Sequence, residues 1–296
     1  MHLVRYSTQD GGTAVGVTDG NAVTALAGVD SIAALLRAPL AELRERCAAA
    51  AGPVHRLPDV RLLPPLDGRM EVWAAGVTYT VSKQARMAES ERSASVYERV
   101  YDADRPELFG KAAACRVVTD GEPIAIREDS TVDVPEPELA LVVNAAGDTV
   151  GYLVCDDVSS RSIEGENPLY LPQAKTYLGA CAVSAGIRPV WEIADPYDLV
   201  IEMTISRDGV PVWQGTANTG QLHRRLDDLV RWLLRADIFP DGVVLTSGTC
   251  LVPELPYSLV PGDEVTIRIG GIGALTNTVV RGRESMRWLA DRPEQR

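Results

Sequence analysis

Histidine and cysteine, the side chains most often used to hold zinc, are scarce in this sequence and show no ligand spacing. The three histidines (His2, His55 and His223) are far apart, and the five cysteines contain no C-x-x-C pair. The cysteines are odd in number, and Cys155 and Cys181 lie in apolar segments, which is typical of core thiols in a reducing compartment. The sequence therefore predicts a cytoplasmic protein without disulfides.

Long apolar runs and an excess of positive charge are also missing. No segment reaches the length of a membrane span, and the first five residues lack a signal-peptide core. The formal charge is −12, from 41 acidic against 29 basic residues, which argues against nucleic acid or an anionic membrane as a partner. The G-x-G-x-x-G motif of dinucleotide-binding folds is absent. If so acidic an enzyme handles an acidic substrate, it needs a metal ion, lysine or arginine at the site.

Three acidic side chains and a lysine form the most informative pattern that is present. Glu136 and Glu138 are one residue apart, and Asp157 and Lys175 follow them. Residues i and i+2 of a β-strand point to the same face, so the two glutamates can aim their carboxylates into one site. Grouped carboxylates repel one another unless a hard cation holds them, and oxygen ligands favour Mg²⁺, Mn²⁺ or Ca²⁺. The alternative is a solvated strand face with Asp157 as a turn residue.

The first part of the chain predicts a small α/β unit at residues 1–65. Short apolar runs indicate strands at 3–6 and 14–17, and leucines near helical spacing indicate a helix at 31–51. Prolines interrupt both helix and sheet, so the proline-rich stretch at 57–65 predicts a linker.

The remaining residues, 66–296, predict a β-rich α+β domain with few helices. A charged helix is expected at 81–100 and an amphipathic one at 221–235. Strands are predicted at 70–75, 124–126, 139–143, 150–154, 199–205, 210–213, 243–245, 265–269 and 278–280. No long βαβ rhythm is seen, so the site is expected where strand ends converge.

Short motifs occur in a specific order from about residue 70 to residue 281. They are Ala75-Gly76-Val77-Thr78-Tyr79, Phe109-Gly110-Lys111-Ala112, Glu136-x-Glu138-Leu139-Ala140, Gly151-Tyr152 through Asp157-Val158-Ser159, Pro172-Gln173-Ala174-Lys175, Asn218-Thr219, Ser247-Gly248-Thr249 and Gly271-Ile272-Gly273-x-Leu275-x-Asn277. Together they resemble the fumarylacetoacetate hydrolase family. The runs SSRSIEGENPLYLPQAKTY and PELFGKA are similar to the branch that contains 2-keto-3-deoxy-D-arabinonate dehydratase. The resemblance implies a barrel-like β-sandwich roll, a divalent metal, and a homodimer or higher homo-oligomer.

The resemblance also implies roles for individual residues. Glu136, Glu138 and Asp157 match the metal ligands, with Mg²⁺ as the expected ion and Mn²⁺ or Ca²⁺ as alternatives. Lys175 matches the site lysine, which has to lose a proton to act as a base; the alternative is a lysine that forms an ion pair with the carboxylates. Glu107 matches the acid that assists loss of a hydroxyl group, and the alternative is an ordinary surface glutamate. The candidate substrate-binding residues are Lys111, Thr249, Gly248, Arg86 and Tyr79. Each of these five also has an ordinary structural explanation, such as an ion pair, a tight turn or a packed ring.

A missing histidine bears on the type of reaction. The C–C bond hydrolases of the family resemble G-x-N-Y-x-x-H, whereas here Ser82 stands three residues after Tyr79. No histidine lies between His55 and His223, so hydrolysis has no obvious base that titrates near neutral pH. Elimination of water needs one base and one acid, which the lysine and the glutamate named above could supply. The sequence therefore predicts a metal-dependent lyase, a hydro-lyase acting on a 2-keto-3-deoxy sugar acid.

Two other functions stay open at this point. One is a C–C bond hydrolase or decarboxylase of an acylpyruvate-type 2-keto acid, in which a metal-bound water replaces the imidazole. The other is a protein that binds the 2-keto acid without catalysis, for which Lys175→Ala would leave ligand affinity intact.

Overall fold

The computed structural model describes residues 1–7, 11–79 and 99–292. Arg86 and most of the predicted helix at 81–100 lie outside these residues, while residues 99–102 are helical. In the part of the chain that is described, no helix is both long and apolar enough to cross a membrane.

Strands predominate over helices. In chain order the strands are β1 (His2–Ser7), β2 (Thr13–Thr18), β3 (Ala22–Ala25), β4 (Val54–Arg56), β5 (Arg61–Leu63), β6 (Glu71–Gly76), β7 (Glu107–Ala113), β8 (Ile124–Ile126), β9 (Asp133–Val134), β10 (Pro137–Val143), β11 (Thr149–Asp157), β12 (Ser159–Ser160), β13 (Cys181–Val183), β14 (Gly186–Pro189), β15 (Val200–Arg207), β16 (Val210–Asn218), β17 (Val243–Thr249), β18 (Glu264–Ile269) and β19 (Gly273–Arg281). The helices are α1 (Ile32–Leu35), α2 (Leu40–Ala48), α3 (Arg161–Glu166), α4 (Leu171–Lys175), α5 (Leu226–Leu233) and α6 (Gly282–Ser285).

The strands of the described residues form three sheets. The largest has the order β4-β3-β2-β1-β14-β11-β10-β17-β6-β7, with β13 also pairing with β11 and β5 with β1. The second has the order β16-β15-β18-β19-β8, and the third pairs β12 with β9. Strand β1 pairs with β14, so the N-terminal strands and the strands of the remaining chain belong to one sheet.

Strand β10, in the interior of the large sheet, is buried on both faces. Leu139, Leu141 and Val143 pack into a core shared with the five-stranded sheet. The alternate residues Ala140 and Val142 pack into a second core beneath α1 and α2. Side chains alternate along a strand, so the glutamates that precede Ala140 point to the side of the second core. They do so at the end of the strand, where the packed core gives way to the site.

Two N-terminal predictions are wrong in detail. The helix expected at 31–51 is interrupted, because α1 ends at Leu35 and α2 begins at Leu40. Pro39 stands between them with an extended ψ of 153° and no N–H to donate, which the interior of a helix does not allow. The expected linker at 57–65 instead contains β5, which pairs with β1.

The amphipathic helix expected at 221–235 is shorter than predicted. It begins at Leu226, because Arg225 before it has an extended backbone, with φ −76° and ψ 139°. The backbone N–H of His223 donates to the carbonyl of Thr78 at 2.9 Å. Tertiary pairing therefore overrides the helical pattern over its first turn.

Asp67 connects the first helix to the first strand. Its carboxylate accepts hydrogen bonds from the backbone N–H groups of Ile32 (3.1 Å) and Ala33 (2.8 Å), at the start of α1. Its Oδ2 also lies 3.0 Å from Nε of Arg5, and both side chains are buried. One carboxylate thus caps a helix and neutralises a buried arginine.

We expect Asp67→Ala to destabilise the protein by about 3–5 kcal/mol, because it removes one partner of a buried ion pair. Urea unfolding followed by circular dichroism measures this. Glu42→Ala is the matched control: Glu42 pairs with Arg46 on the exposed face of α2, and such a pair contributes only about 0.3–0.5 kcal/mol. Equal losses for the two variants would contradict the prediction.

Candidate metal and substrate site

The three predicted carboxylates meet at the ends of β10 and β11. The N–H of Asp157 donates to the carbonyl of Glu136 at 2.9 Å, so these two residues are opposite one another across the strand pair. Glu138 lies two residues further along the same face of β10. One carboxylate oxygen from each residue lies within 4.8 Å of the other two, and all three side chains are buried. The strand alternation inferred from the sequence therefore brings the carboxylates together.

A bulge in β17 holds Glu138. Glu138 is opposite Thr249 and Ala140 is opposite Thr246, so Ser247 and Gly248 together face a single residue of β10. The N–H of Gly248 donates to Oε2 of Glu138 at 2.9 Å. The hydroxyl of Thr249 donates to the carbonyl of Pro137 at 3.0 Å. Gly248 and Thr249 were predicted to contact substrate, and in the structure both hydrogen bonds are directed to β10.

The bulge depends on glycine at position 248. Its φ is +85°, and a Cβ there would lie 2.9 Å from the carbonyl oxygen of Ala75 and closer still to the hydroxyl of Thr78. We expect Gly248→Ala to cost at least about 1–2 kcal/mol of stability from the positive φ alone. We also expect weaker metal binding, because the amide that orients Glu138 has to move.

Gly209→Ala is the matched control for this prediction. Gly209 has a φ of +76°, but a Cβ there would meet nothing within 4 Å. The control should therefore lose stability through its φ alone and leave metal affinity unchanged. Urea unfolding and a Mn²⁺ titration measure the two quantities. Unchanged metal affinity in Gly248→Ala would contradict the proposed role of the bulge.

Lys175, the last residue of α4, inserts its ammonium between two of the carboxylates. It donates to Oε2 of Glu136 at 2.9 Å, to Oδ2 of Asp157 at 3.1 Å and to the hydroxyl of Ser159 at 2.5 Å. Its side chain is only 1% exposed. The predicted base is therefore in direct contact with two predicted metal ligands.

Lys111 approaches the same site from β7. It stands where the pairing with β6 is irregular, since Trp73 is opposite Gly110 and Val72 is opposite Ala112. Its ammonium lies 2.5 Å from Oδ1 of Asp157 and donates to two backbone carbonyls. Lys111 was predicted to hold a substrate carboxylate, and in the structure its ammonium contacts three oxygens of the protein.

The other predicted residues lie on neighbouring segments. Glu107 pairs with Gly76 in the β6–β7 ladder, and its carboxylate lies directly over the glycine, where it would have to move if residue 76 had a Cβ. Tyr79 is completely buried in the core between the sheets, where burial raises the pKa of its phenol above the usual range. Arg86 lies outside the described residues. The substrate roles of these residues stay predictions.

Two contacts at the site were not predicted from the sequence. Arg161 donates from Nη2 to Oε1 of Glu136 at 2.7 Å, with both side chains buried. Ser159 accepts the short hydrogen bond from Lys175. Ser159 follows Asp157 by two positions and Arg161 follows it by four, so the Asp-x-Ser-x-Arg spacing is a signal that could have indicated them.

The electrostatics of the site leave an excess of negative charge at Glu138. Glu136 and Asp157 have lysine or arginine neighbours, whereas Glu138 makes no ion pair among the described residues. Burial, followed by repulsion from Asp157 and Glu136, raises the pKa of Glu138 well above its usual range. A divalent cation would relieve both effects, and buried oxygen donors suit a hard ion. The residues present therefore fit a metal such as Mg²⁺.

Comparison with known proteins gives consistent matches. Residues 71–280 match the family described as fumarylacetoacetate (FAA) hydrolase C-terminal, and residues 1–65 match Rv2993c-like, N-terminal. A probable 2-keto-3-deoxyxylonate dehydratase of Haloferax volcanii is 49% identical over 215 residues, 73% of each chain. The 2-dehydro-3-deoxy-D-arabinonate dehydratase of Saccharolobus solfataricus is 42% identical over 229 residues, 76% of each chain.

Solved structures match over nearly the whole chain. One is 2-keto-3-deoxy-D-arabinonate dehydratase complexed with magnesium and 2,5-dioxopentanoate, with a TM-score of 0.80 and 35% identity over 95% of this chain and 99% of that chain. The apo form of the same enzyme gives a TM-score of 0.82 at 34% identity, with the same coverage. The predicted β-rich α+β fold is thereby confirmed.

Proposed function

The chain belongs to the fumarylacetoacetate hydrolase family, and on this basis we propose that it is a Mg²⁺-dependent dehydratase of 2-keto-3-deoxy sugar acids. The observation that carries the proposal is the buried group of Glu136, Glu138 and Asp157 with the Lys175 ammonium between two of them. The relatives named as dehydratases support the reaction type, and 2-keto-3-deoxy-D-arabinonate is the expected substrate.

Glu136, Glu138 and Asp157 would hold the Mg²⁺ ion. When bound, the ion supplies a Lewis acid that polarises the 2-oxo group and makes the neighbouring C3–H bond more acidic. The protein contributes the preorganisation of the carboxylates. Gly248 orients Glu138, and Arg161 orients Glu136.

The proton transfers would be carried out by two side chains. Lys175, in its neutral form, would take the proton from C3, and its burial keeps water from competing for that proton. Glu107, in its acid form, would give a proton to the C4 hydroxyl as the C4–O bond breaks. The electron pair of the C3–H bond becomes the C3–C4 π bond, and one water molecule leaves. Charge and atoms balance without a further reactant.

The histidines of the chain have other contacts, which supports elimination over hydrolysis. Nε2 of His2 lies 2.7 Å from the carbonyl of Ile272. His55 packs against Tyr6, and His223 stacks on Tyr101 at 4.2 Å between ring centroids. None of these contacts involves a residue of the carboxylate group.

A panel of 2-keto acids tests the proposal directly. Purified protein is incubated with 2-keto-3-deoxy-D-arabinonate, its C4 epimer and an acylpyruvate, each with Mg²⁺ and with excess chelator. We expect Mg²⁺-dependent consumption of a 2-keto-3-deoxy acid, with loss of one water seen by mass spectrometry. Cleavage of the acylpyruvate without consumption of either sugar acid would overturn the proposal in favour of a hydrolase.

We further propose that the protein acts in the cytoplasm as a homo-oligomer. Five free cysteines suit a reducing compartment. Strand β16 is an edge strand that exposes Val210 and Val212, an arrangement that favours pairing with a second chain. Light scattering of the purified protein measures the oligomeric state, and a monomer at all concentrations would contradict this part of the proposal.

A further inference from the structure

Lys111 is a completely buried lysine whose ammonium is surrounded by protein oxygens. Its Nζ lies 2.6 Å from the carbonyl of Lys175, 3.0 Å from the carbonyl of Val158 and 2.5 Å from Oδ1 of Asp157. An ammonium group has three hydrogens and no acceptor, so these three oxygens account for its full capacity. No donor is left over for a substrate carboxylate.

The three oxygens belong to the two segments that matter most for the proposed reaction. Asp157 ends β11, and Val158 is the next residue. Lys175 ends α4, where backbone carbonyls lack partners within the helix. Lys111 therefore joins the segment of a metal ligand to the backbone of the predicted base, and it does so from a third element, β7.

The composition of the chain supports a specific need for lysine here. Of 29 basic residues, only Lys83, Lys111 and Lys175 are lysines, and the other 26 are arginines. A planar guanidinium cannot direct three hydrogens from one point to three converging oxygens, whereas an ammonium can. Two of the three lysines thus occur where a compact charge has to be placed among oxygens.

We propose that Lys111 is a positioning residue that sets the separation between Asp157 and Lys175 and does not contact substrate. This rests on the proposed function in one respect, which is that Asp157 is a metal ligand. Through Oδ1, Lys111 holds the carboxylate in the orientation that faces the other two ligands. Through the Lys175 carbonyl, it fixes the end of α4 from which the base extends.

The test measures metal affinity without substrate, using Mn²⁺ as an electron paramagnetic resonance probe. Lys111→Met keeps the side-chain length and removes the ammonium. We expect the Kd for Mn²⁺ to rise by about 10- to 100-fold, as for other residues that orient metal ligands. We expect kcat to fall, with KM at saturating Mg²⁺ changed by less than about threefold. Arg207→Met, which removes a cation paired with Asp263 on the five-stranded sheet, is the matched control and should not change the Kd.

An unchanged Mn²⁺ Kd in Lys111→Met would overturn the inference, and a KM raised by more than about tenfold would assign the residue to substrate binding instead. If the wild-type protein binds no Mn²⁺, the proposed function fails rather than the positioning role within it.

A second measurement covers the case in which Lys111→Met does not fold. Wild-type protein labelled with ¹⁵N-lysine contains only three ammonium signals, which Lys83→Arg and Lys175→Arg assign. We expect the Lys111 ammonium hydrogens to exchange slowly with water, and the signal to stay in place when 2-oxobutanoate is added without metal. Fast exchange, or a shift caused by the keto acid, would contradict the inference.

Discussion

Lys175→Met is expected to lower kcat by about 10³-fold, within the range that general acid–base groups contribute. The variant keeps the side-chain volume but removes the amine that would take the C3 proton. The loss should appear in kcat and kcat/KM alike, because the amine acts in the transition state. Steady-state assays with the best 2-keto-3-deoxy acid, at saturating Mg²⁺, measure this.

The affinity for metal should not fall with kcat in Lys175→Met. The Lys175 ammonium lies 2.9 Å from Glu136 and 3.1 Å from Asp157, so in its charged form it competes with a cation for the same oxygens. Removing it should leave Mn²⁺ affinity equal or higher, because Lys175 lies between two carboxylates, on Oε2 of Glu136 and Oδ2 of Asp157. Lys111 contacts only the other Asp157 oxygen, Oδ1, and orients the carboxylate from there. Lys175→Arg is the matched control: it keeps a permanent charge that cannot be given up near neutral pH, so it should be inactive without any gain in metal affinity. A Lys175→Met variant with more than a tenth of wild-type kcat would exclude lysine as the base.

Glu138→Gln is expected to abolish metal binding while making the metal-free protein more stable. Glu138 is buried and close to two other carboxylates, which raises its pKa well above the usual 4.5. A carboxyl group with a raised folded-state pKa contributes stability below its unfolded pKa and loses that contribution as pH rises through the folded value. At pH 7, above the unfolded pKa, the Glu138 carboxyl therefore opposes folding, and the neutral amide removes that cost. Thermal unfolding between pH 4 and pH 8, with and without Mg²⁺, measures both effects.

Added Mg²⁺ should make the wild-type protein more stable than Glu138→Gln, which reverses their order without metal. Wild-type protein gains about 2.7 kcal/mol when Mg²⁺ is present at 100 times its Kd, whereas a variant that does not bind gains nothing. Asp241→Asn is the matched control with the opposite sign, because Arg69 and Arg37 lower the pKa of Asp241 to about 2. Asp241 contributes stability above pH 4 and loses it as pH falls towards 2, so its neutral variant should be destabilised at pH 7. A Glu138→Gln protein that is less stable than wild type without metal would contradict the expected repulsion.

The strands that could be predicted from sequence are those with a local apolar run. Residues 124–126 were expected as a strand and form β8 (Ile124–Ile126), and the apolar run at 139–143 lies within β10. Strand β7, with the sequence ELFGKAA, was not predicted, because it contains two charged residues and a glycine. It is extended because β6 provides a partner, and pairing between strands distant in sequence cannot be read from one segment.

At the site, too, local sequence predicts some features, and others depend on contacts distant in sequence. The two glutamates could be placed on one face because the period of a strand relates residues two apart. The partners of Asp157 and Glu136 could not be assigned from local sequence, because Lys111 and Arg161 reach them across 46 and 25 positions of the chain. Their contacts depend on the direction in which β7 and α3 approach the strand ends, and that direction is decided by packing.

The shared sheet has a consequence for the ways in which the chain can be shortened. The boundary at residue 65 separates two sequence families, yet β14 pairs with β1 on one side and β11 on the other. A truncated chain that starts at residue 66 would leave β14 with an open edge and uncover the apolar layer beneath α1 and α2. Such a fragment should aggregate during expression, and any exchange of the N-terminal unit between homologues has to preserve a strand that fits beside β14.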